Sequence, residues 1–159
     1  MLTSGLTATR IANAFGVNLI YARQLCQFVD EDSTLEDIQR LIDAKPKPFV
    51  KWVGGKRQLL KQFRELGLYP PEAFNPMTST YYEPFVGGGA VFFDLLPKNA
   101  KLSDLNSELV ITYNVIKNSV DELIESLQKH IYDKEYYLKV RAEKVEDLSE
   151  IEVASRFIF

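Results

Sequence analysis

The chain's 159 residues, 46% hydrophobic and 26% charged, suit about one soluble domain that buries a core without disulfides, and no apolar run nears the ~18 residues a bilayer span needs. One cysteine, Cys26, and one histidine, His130, exclude an internal disulfide and a Cys/His metal centre, and the start lacks the regions of a signal peptide, so a cytoplasmic chain without a transition metal is expected. The net charge of −3 argues against a generally basic nucleic-acid binder, yet it hides −3 over residues 1–44, +7 over 45–64 and −7 over 65–159.

Residues 7–43 predict short helices. Ile11, Ala12, Phe15 and Leu19 have helical spacing broken by Gly16, and a second periodic run goes from Leu19 through Leu25 to Val29. Ser33 and Glu36 have the spacing of a capping box, opening a helix with Leu35, Ile38, Leu41 and Ile42 inward. The string IANAFGVNLIYARQL resembles a helix-turn-helix, with Arg23 and Gln24 outward on the second helix where a reading helix enters the major groove. A plain helical hairpin accounts for the same string. The prolines of KPKP (45–48) stop the preceding helix and force extended backbone, so a domain boundary is expected near residue 45. Beyond it, Lys45, Lys47, Lys51, Lys56, Arg57, Lys61 and Arg64 stand without one acid. They form a candidate anion or nucleic-acid face, or else a solvated surface.

TYYEPF (80–85) predicts a strand, VGGGAVFFDLL (86–96) a glycine turn entering a helix, AKLSD (100–104) a second strand and 106–117 a helix. Ser119 and Glu122 suggest another capping box, with Leu123, Ile124, Leu127 and Ile131 on one face. The stretch from Lys134 to Phe159 is expected to be mostly helical, with Tyr136, Tyr137 and Val140 on one side. The order strand, helix, strand, helix implies a parallel α/β sheet.

Three stretches carry chemistry. Glycines after a parallel strand, as in Gly87-Gly88-Gly89, let a ligand approach backbone at the sheet's edge, or simply make a tight turn. A dinucleotide fingerprint needs G-x-G-x-x-G; Phe92 holds the third glycine's place and disfavours a nicotinamide cofactor. Asp104 ends the second strand, where a carboxylate accepts both hydroxyls of a ribose, or else caps the next helix. In Lys51-Trp52-Val53-Gly54-Gly55-Lys56 a Gly-Gly turn leads to a lysine at a helix start, a place for an anion. Trp52 offers a flat apolar surface beside it, or is a core residue with a solvated lysine next to it.

Together, KPFVKWVGGKRQLL, YYEPFVGGGAVFF and LSDLNSELVITYNVIK, in this order, resemble the Dam-type (class D12) adenine-N6 DNA methyltransferases from about Lys47 to Phe159. The resemblance implies methyl transfer from S-adenosyl-L-methionine to adenine in double-stranded DNA, as in restriction–modification. It implies an α/β fold, a partial Rossmann-like S-adenosylmethionine-dependent methyltransferase fold, here preceded by a short all-helical segment. Trp52 and Lys56 match cofactor-contacting positions, Lys56 as partner of the methionine carboxylate. Glu83, Pro84, Phe85, Gly87 and Gly89 match the turn beneath the methionine part, and Asp104 the acid that holds the ribose.

The family's catalytic [DN]-P-P-[YFW] motif, which orients the flipped adenine, has no counterpart, since Tyr69-Pro70-Pro71-Glu72 has the wrong flanks and precedes the glycine turn. No catalytic residue is therefore assigned. Residues 1–44 are expected to be a helical extension and 45–159 the N-terminal, cofactor-binding part of the methyltransferase domain, ending before the catalytic motif. Such a part is expected to be inactive alone and marginally stable, or to depend on a second chain that supplies the rest. The alternative is a non-enzymatic DNA-binding or regulatory protein that uses the helix-turn-helix-like segment.

Overall fold

The computed structural model describes residues 7–17, 22, 25–26, 28–29 and 32–159. They fall in two compact units, Met1–Leu102 and Ser103–Phe159.

The first unit opens with α1 (Ala8–Phe15), started by the Thr7 hydroxyl accepting from the Arg10 amide and ended by Gly16 at φ 63°. Gly16 has no Cβ to strain that left-handed cap. α2 (Leu35–Asp43) begins one residue later than expected. Thr34, not Ser33, is the N-cap: its Oγ1 accepts from the Asp37 amide at 3.2 Å, and the Asp37 carboxylate accepts from the Thr34 amide at 3.0 Å. The Thr34 hydroxyl, donating to Asp37 Oδ2 at 2.6 Å, and then the Thr34 amide hold the Asp37 carboxyl below its ordinary range. Ile38 is fully buried, as expected, with Ile11, Ala22 and Leu25. Phe15, Val29, Leu41, Ile42 and Leu96 pack around them. Leu35, expected inward, is 56% exposed, because a first-turn residue overhangs a cluster centred one turn later. Leu19, Arg23 and Gln24 lie outside the described residues.

KPKP is neither helix nor strand. After it come α3 (Arg57–Glu65), β1 (Thr80–Glu83), α4 (Ala90–Leu95) and β2 (Asn99–Leu102). β1 and β2 pair in parallel, Thr80 opposite Asn99 and Glu83 opposite Leu102. This is the predicted strand order with shorter strands. Pro84 has no N–H to continue the ladder, and β1 stops before it. Among the described residues the sheet has two strands, so the architecture is a mixed helix–strand one compatible with part of a methyltransferase fold. Asp94 of α4 ties the unit together. Its carboxylate takes Arg64 of α3, the Tyr69 hydroxyl at 2.9 Å and Lys45 at 3.9 Å. Burial, then the Asp94 charge, pushes the Tyr69 phenol up.

The second unit is helical: α5 (Ser107–Asn118), α6 (Val120–Leu127), α7 (Lys134–Ala142), a 3-10 turn (Val145–Asp147) and α8 (Glu150–Ile158). Asn106 caps α5, Asp133 caps α7, and Ser149 with Glu152 forms a full capping box on α8. The expected Ser119–Glu122 box does not form. Ser119 is the one residue between two helices, its amide bonded to Val115 O and its carbonyl to the Leu123 amide. Its φ of −148° and ψ of 46° do not suit a capping side chain. Val115, Leu123 and Ala154 form the core, with Leu127, Ile151 and Ile158 against them. Ile124 and Ile131, expected on that face, are exposed. No helix among the described residues is long and apolar enough to cross a membrane.

Candidate cofactor site

In the first unit two glycine turns meet. The first, 52–55, is closed by the Gly55 amide donating to Trp52 O at 3.2 Å, with Gly54 at φ 75°. It delivers Lys56 to the start of α3. The second follows β1. The Gly89 amide donates to Val86 O at 2.8 Å, and Gly89, at φ 74°, opens α4.

The Trp52 indole packs onto the second turn. A Cβ on Gly87 would lie 2.8 Å from Trp52 Cδ1, and one on Gly88 3.2 Å from Trp52 Cβ and 3.3 Å from Val50 O. Only a bare backbone permits that approach. These glycines are expected to admit a ligand or simply to make a tight turn; on this side, the group that approaches is Trp52.

Beside the indole lies a charged pair. Lys56 Nζ donates to Glu83 Oε1 at 2.9 Å and to Phe85 O at 2.6 Å. Glu83 is only 5% exposed, and a carboxylate so placed needs bonded partners. It has two: Lys56, and the Tyr81 hydroxyl donating to Oε2 at 2.7 Å. Burial, then the bond to Glu83, raises the Tyr81 phenol above its ordinary range. Tyr81 is not among the residues singled out from the sequence, although period-two alternation along TYYE puts residues 81 and 83 on one face of the strand.

Trp52, Lys56, Glu83, Phe85 and Gly87 are thus brought together by contacts within one unit. Pro84 ends the strand between Glu83 and Phe85, and Gly89 begins the helix beyond. Asp104 belongs to the second unit. Its Oδ1 accepts from the Asn106 amide at 3.0 Å, while Asn106, not Asp104, caps α5. Phe92 packs edge-on against Phe93 at 5.1 Å.

The basic block is partly consumed at home. Asp94 takes Lys45 and Arg64, Glu83 takes Lys56, and Glu65 lies 3.9 Å from Lys61. Lys47, Lys51 and Arg57 are exposed.

Residues 52–159 match the family described as D12 class N6 adenine-specific DNA methyltransferase. The chain is 42% identical over 119 residues to the type II methyltransferase M1.LlaDCHI of Lactococcus lactis subsp. cremoris, covering 71% of this chain and 39% of that protein. It is 41% identical over 129 residues to the type II methyltransferase M.MjaIII of Methanocaldococcus jannaschii, covering 71% and 44%. It is 33% identical over 85 residues to the DNA adenine methylase of Escherichia coli (strain K12), covering 54% and 28%. The chain thus spans about two fifths of the length of the first two relatives.

Proposed function

The chain belongs to the D12 class N6 adenine-specific DNA methyltransferase family, and from that membership we propose that it forms the S-adenosyl-L-methionine-binding part of a site-specific DNA adenine-N6 methyltransferase. In this reading residues 1–44 are a helical extension and 45–159 the N-terminal part of the methyltransferase domain. One observation carries it. The Trp52 indole lies on the Gly87 turn, beside a Lys56 ammonium that borders the same turn through Phe85 O.

These residues fit a cofactor with a charged amino-acid end and a flat nucleoside. An ammonium has three donors, and two on Lys56 go to Glu83 and Phe85 O. The third can meet the methionine carboxylate, since the side chain is 43% exposed. Glu83, Pro84, Phe85, Gly87 and Gly89 line the methionine end beside Trp52. Asp104 is assigned the ribose hydroxyls by the family resemblance alone. When bound, the cofactor supplies an electrophilic methyl group on a sulfonium. Lys56 and the turn hold its other end, and positioning of this kind is the main contribution a methyltransferase makes to the reaction.

The complete reaction on double-stranded DNA is proposed for the longer proteins of the family. Residues 1–159 contain no [DN]-P-P-[YFW] motif, so in this reading a further stretch or a second chain provides the group that holds adenine. The test uses Trp52, the one tryptophan. Titration with S-adenosylmethionine is expected to give a saturable emission change that Lys56→Ala and Asp104→Ala weaken. A flat titration on folded protein would sink the reading.

A further inference from the structure

We propose that Tyr81 is a positioning residue of this site, acting through Glu83 on Lys56; the inference rests on the cofactor reading above. Glu83 ends β1 and is almost fully buried. An ionised carboxylate only accepts hydrogen bonds, so a group that fixes its plane has to donate. Tyr81, two residues earlier on the same face, does so at 2.7 Å to Oε2. Its ring is rigid, and one O–H is all that turns. Burial and the neighbouring carboxylate keep that phenol protonated, and so a donor.

With Oε2 held, Oε1 lies 2.9 Å from Lys56 Nζ, which also donates to Phe85 O at 2.6 Å. Two fixed N–H directions on a tetrahedral ammonium determine the third. The third is the one assigned to the ligand carboxylate. Tyr81 therefore aims a charge it does not touch. It reaches no cofactor atom in this scheme, and its effect is confined to the amino-acid end of the ligand.

The experiment compares the chain with its Tyr81→Phe variant, which keeps the ring and removes one hydroxyl. Dissociation constants are measured by calorimetry for S-adenosylmethionine and for 5′-methylthioadenosine, which has the same nucleoside and sulfur but no amino-acid end. In parallel, hydrogen exchange of the Lys56 ammonium is followed by 15N NMR and assigned with Lys56→Arg. Tyr81→Phe is expected to weaken S-adenosylmethionine roughly 3–10-fold, the size of one ordinary net hydrogen bond, because the lost bond reaches the ligand only through Lys56. It should leave methylthioadenosine within about twofold and speed exchange at Lys56. Tyr69→Phe, whose hydroxyl bonds Asp94 instead, serves as the control and should change neither affinity.

Equal loss for both ligands would make Tyr81 a support of the fold only and overturn the proposal. So would an unchanged Lys56 exchange rate. A wild-type chain that binds neither ligand sinks the cofactor reading instead. The exchange rates then still decide whether Tyr81 acts on Lys56.

Discussion

The indole of Trp52 stands where a side chain on Gly87 would begin, 2.8 Å from the site of its Cβ. Two segments 35 positions apart in the chain thus depend on each other, one supplying a flat ring and the other a backbone without a side chain. Gly87 also sits at φ 50°, in the left-handed region. Gly87→Ala carries both penalties, overpacking and backbone strain, and is expected to destabilise the chain by about 2–4 kcal/mol. Urea unfolding measures it. In a Trp52→Leu background the same substitution should cost clearly less, because only the backbone term remains. Equal costs in the two backgrounds would contradict the packing argument.

Asp94 is the second joint of the first unit. It holds Arg64, Tyr69 and Lys45 from three other stretches of chain, and its side chain is 19% exposed. Asp94→Ala strands those donors and should cost about 3 kcal/mol. Tyr69→Phe removes one bond from the same group and should cost about 1–2 kcal/mol. Thermal unfolding by circular dichroism would show both. A double variant less destabilised than the sum of the two would confirm that they share one interaction.

The second unit contains a pH-dependent group. His130 lies between the Tyr136 hydroxyl at 3.0 Å and the Ser155 hydroxyl at 2.9 Å, stacked on Phe159 at 4.3 Å. Burial lowers its pKa from the ordinary 6.5, and the Glu143 charge offsets part of that. The unfolded chain therefore binds the proton more readily than the folded one. Stability is expected to be complete above about pH 6.5 and to fall as the pH drops through that value towards the lower folded pKa. His130→Asn should flatten that slope between pH 7 and 5. The depressed carboxyls Asp37 and Glu152 lose their contribution only at lower pH, below their ordinary values near 4. A slope unchanged by His130→Asn would refute the assignment.

Arg156 joins three elements of the second unit. Its guanidinium pairs with Glu108 of α5 and donates to the carbonyls of Arg141, at 3.1 Å, and Glu143, at 3.2 Å. A lysine has one nitrogen where the fork has several in a plane. Arg156→Lys is expected to cost about 1–3 kcal/mol in denaturant unfolding, because carbonyl groups lose their donor. A change below about 0.5 kcal/mol, typical of exposed ion pairs, would show that the fork matters little.

Much of this was readable along the chain. The order of elements from β1 to α5, the parallel pairing and the end of the helix before KPKP follow from local patterns: glycine and proline punctuation, a lysine at a helix start, periods of two and 3.6. Of the six residues that meet at the site, Trp52, Lys56 and Gly87 stand out by such patterns, and Glu83 and Phe85 only by the family resemblance. The misreadings are local as well. Ser33 and Thr34 are both good caps, and Thr34 takes the role with Asp37 in a reciprocal capping box. Ser119 has a capping residue's chemistry but closes one helix as it opens the next. The role of Tyr81 depends on Glu83 being buried, which an isolated strand does not reveal.

By itself the sequence determined residue chemistry and spacing: which glycines can turn, where a cation precedes a helix, which motifs stand in which order, and hence the family. Only the tertiary structure decided the pairings, Trp52 on Gly87, Lys56 on Glu83 and Phe85 O, Arg64 and Tyr69 on Asp94. The physical reason is that burial makes partners obligatory. A carboxylate in water needs none, whereas one that is 5% exposed needs a donor for each oxygen. Which donor arrives depends on what folding brings within 3 Å, and spacing along the chain does not record that.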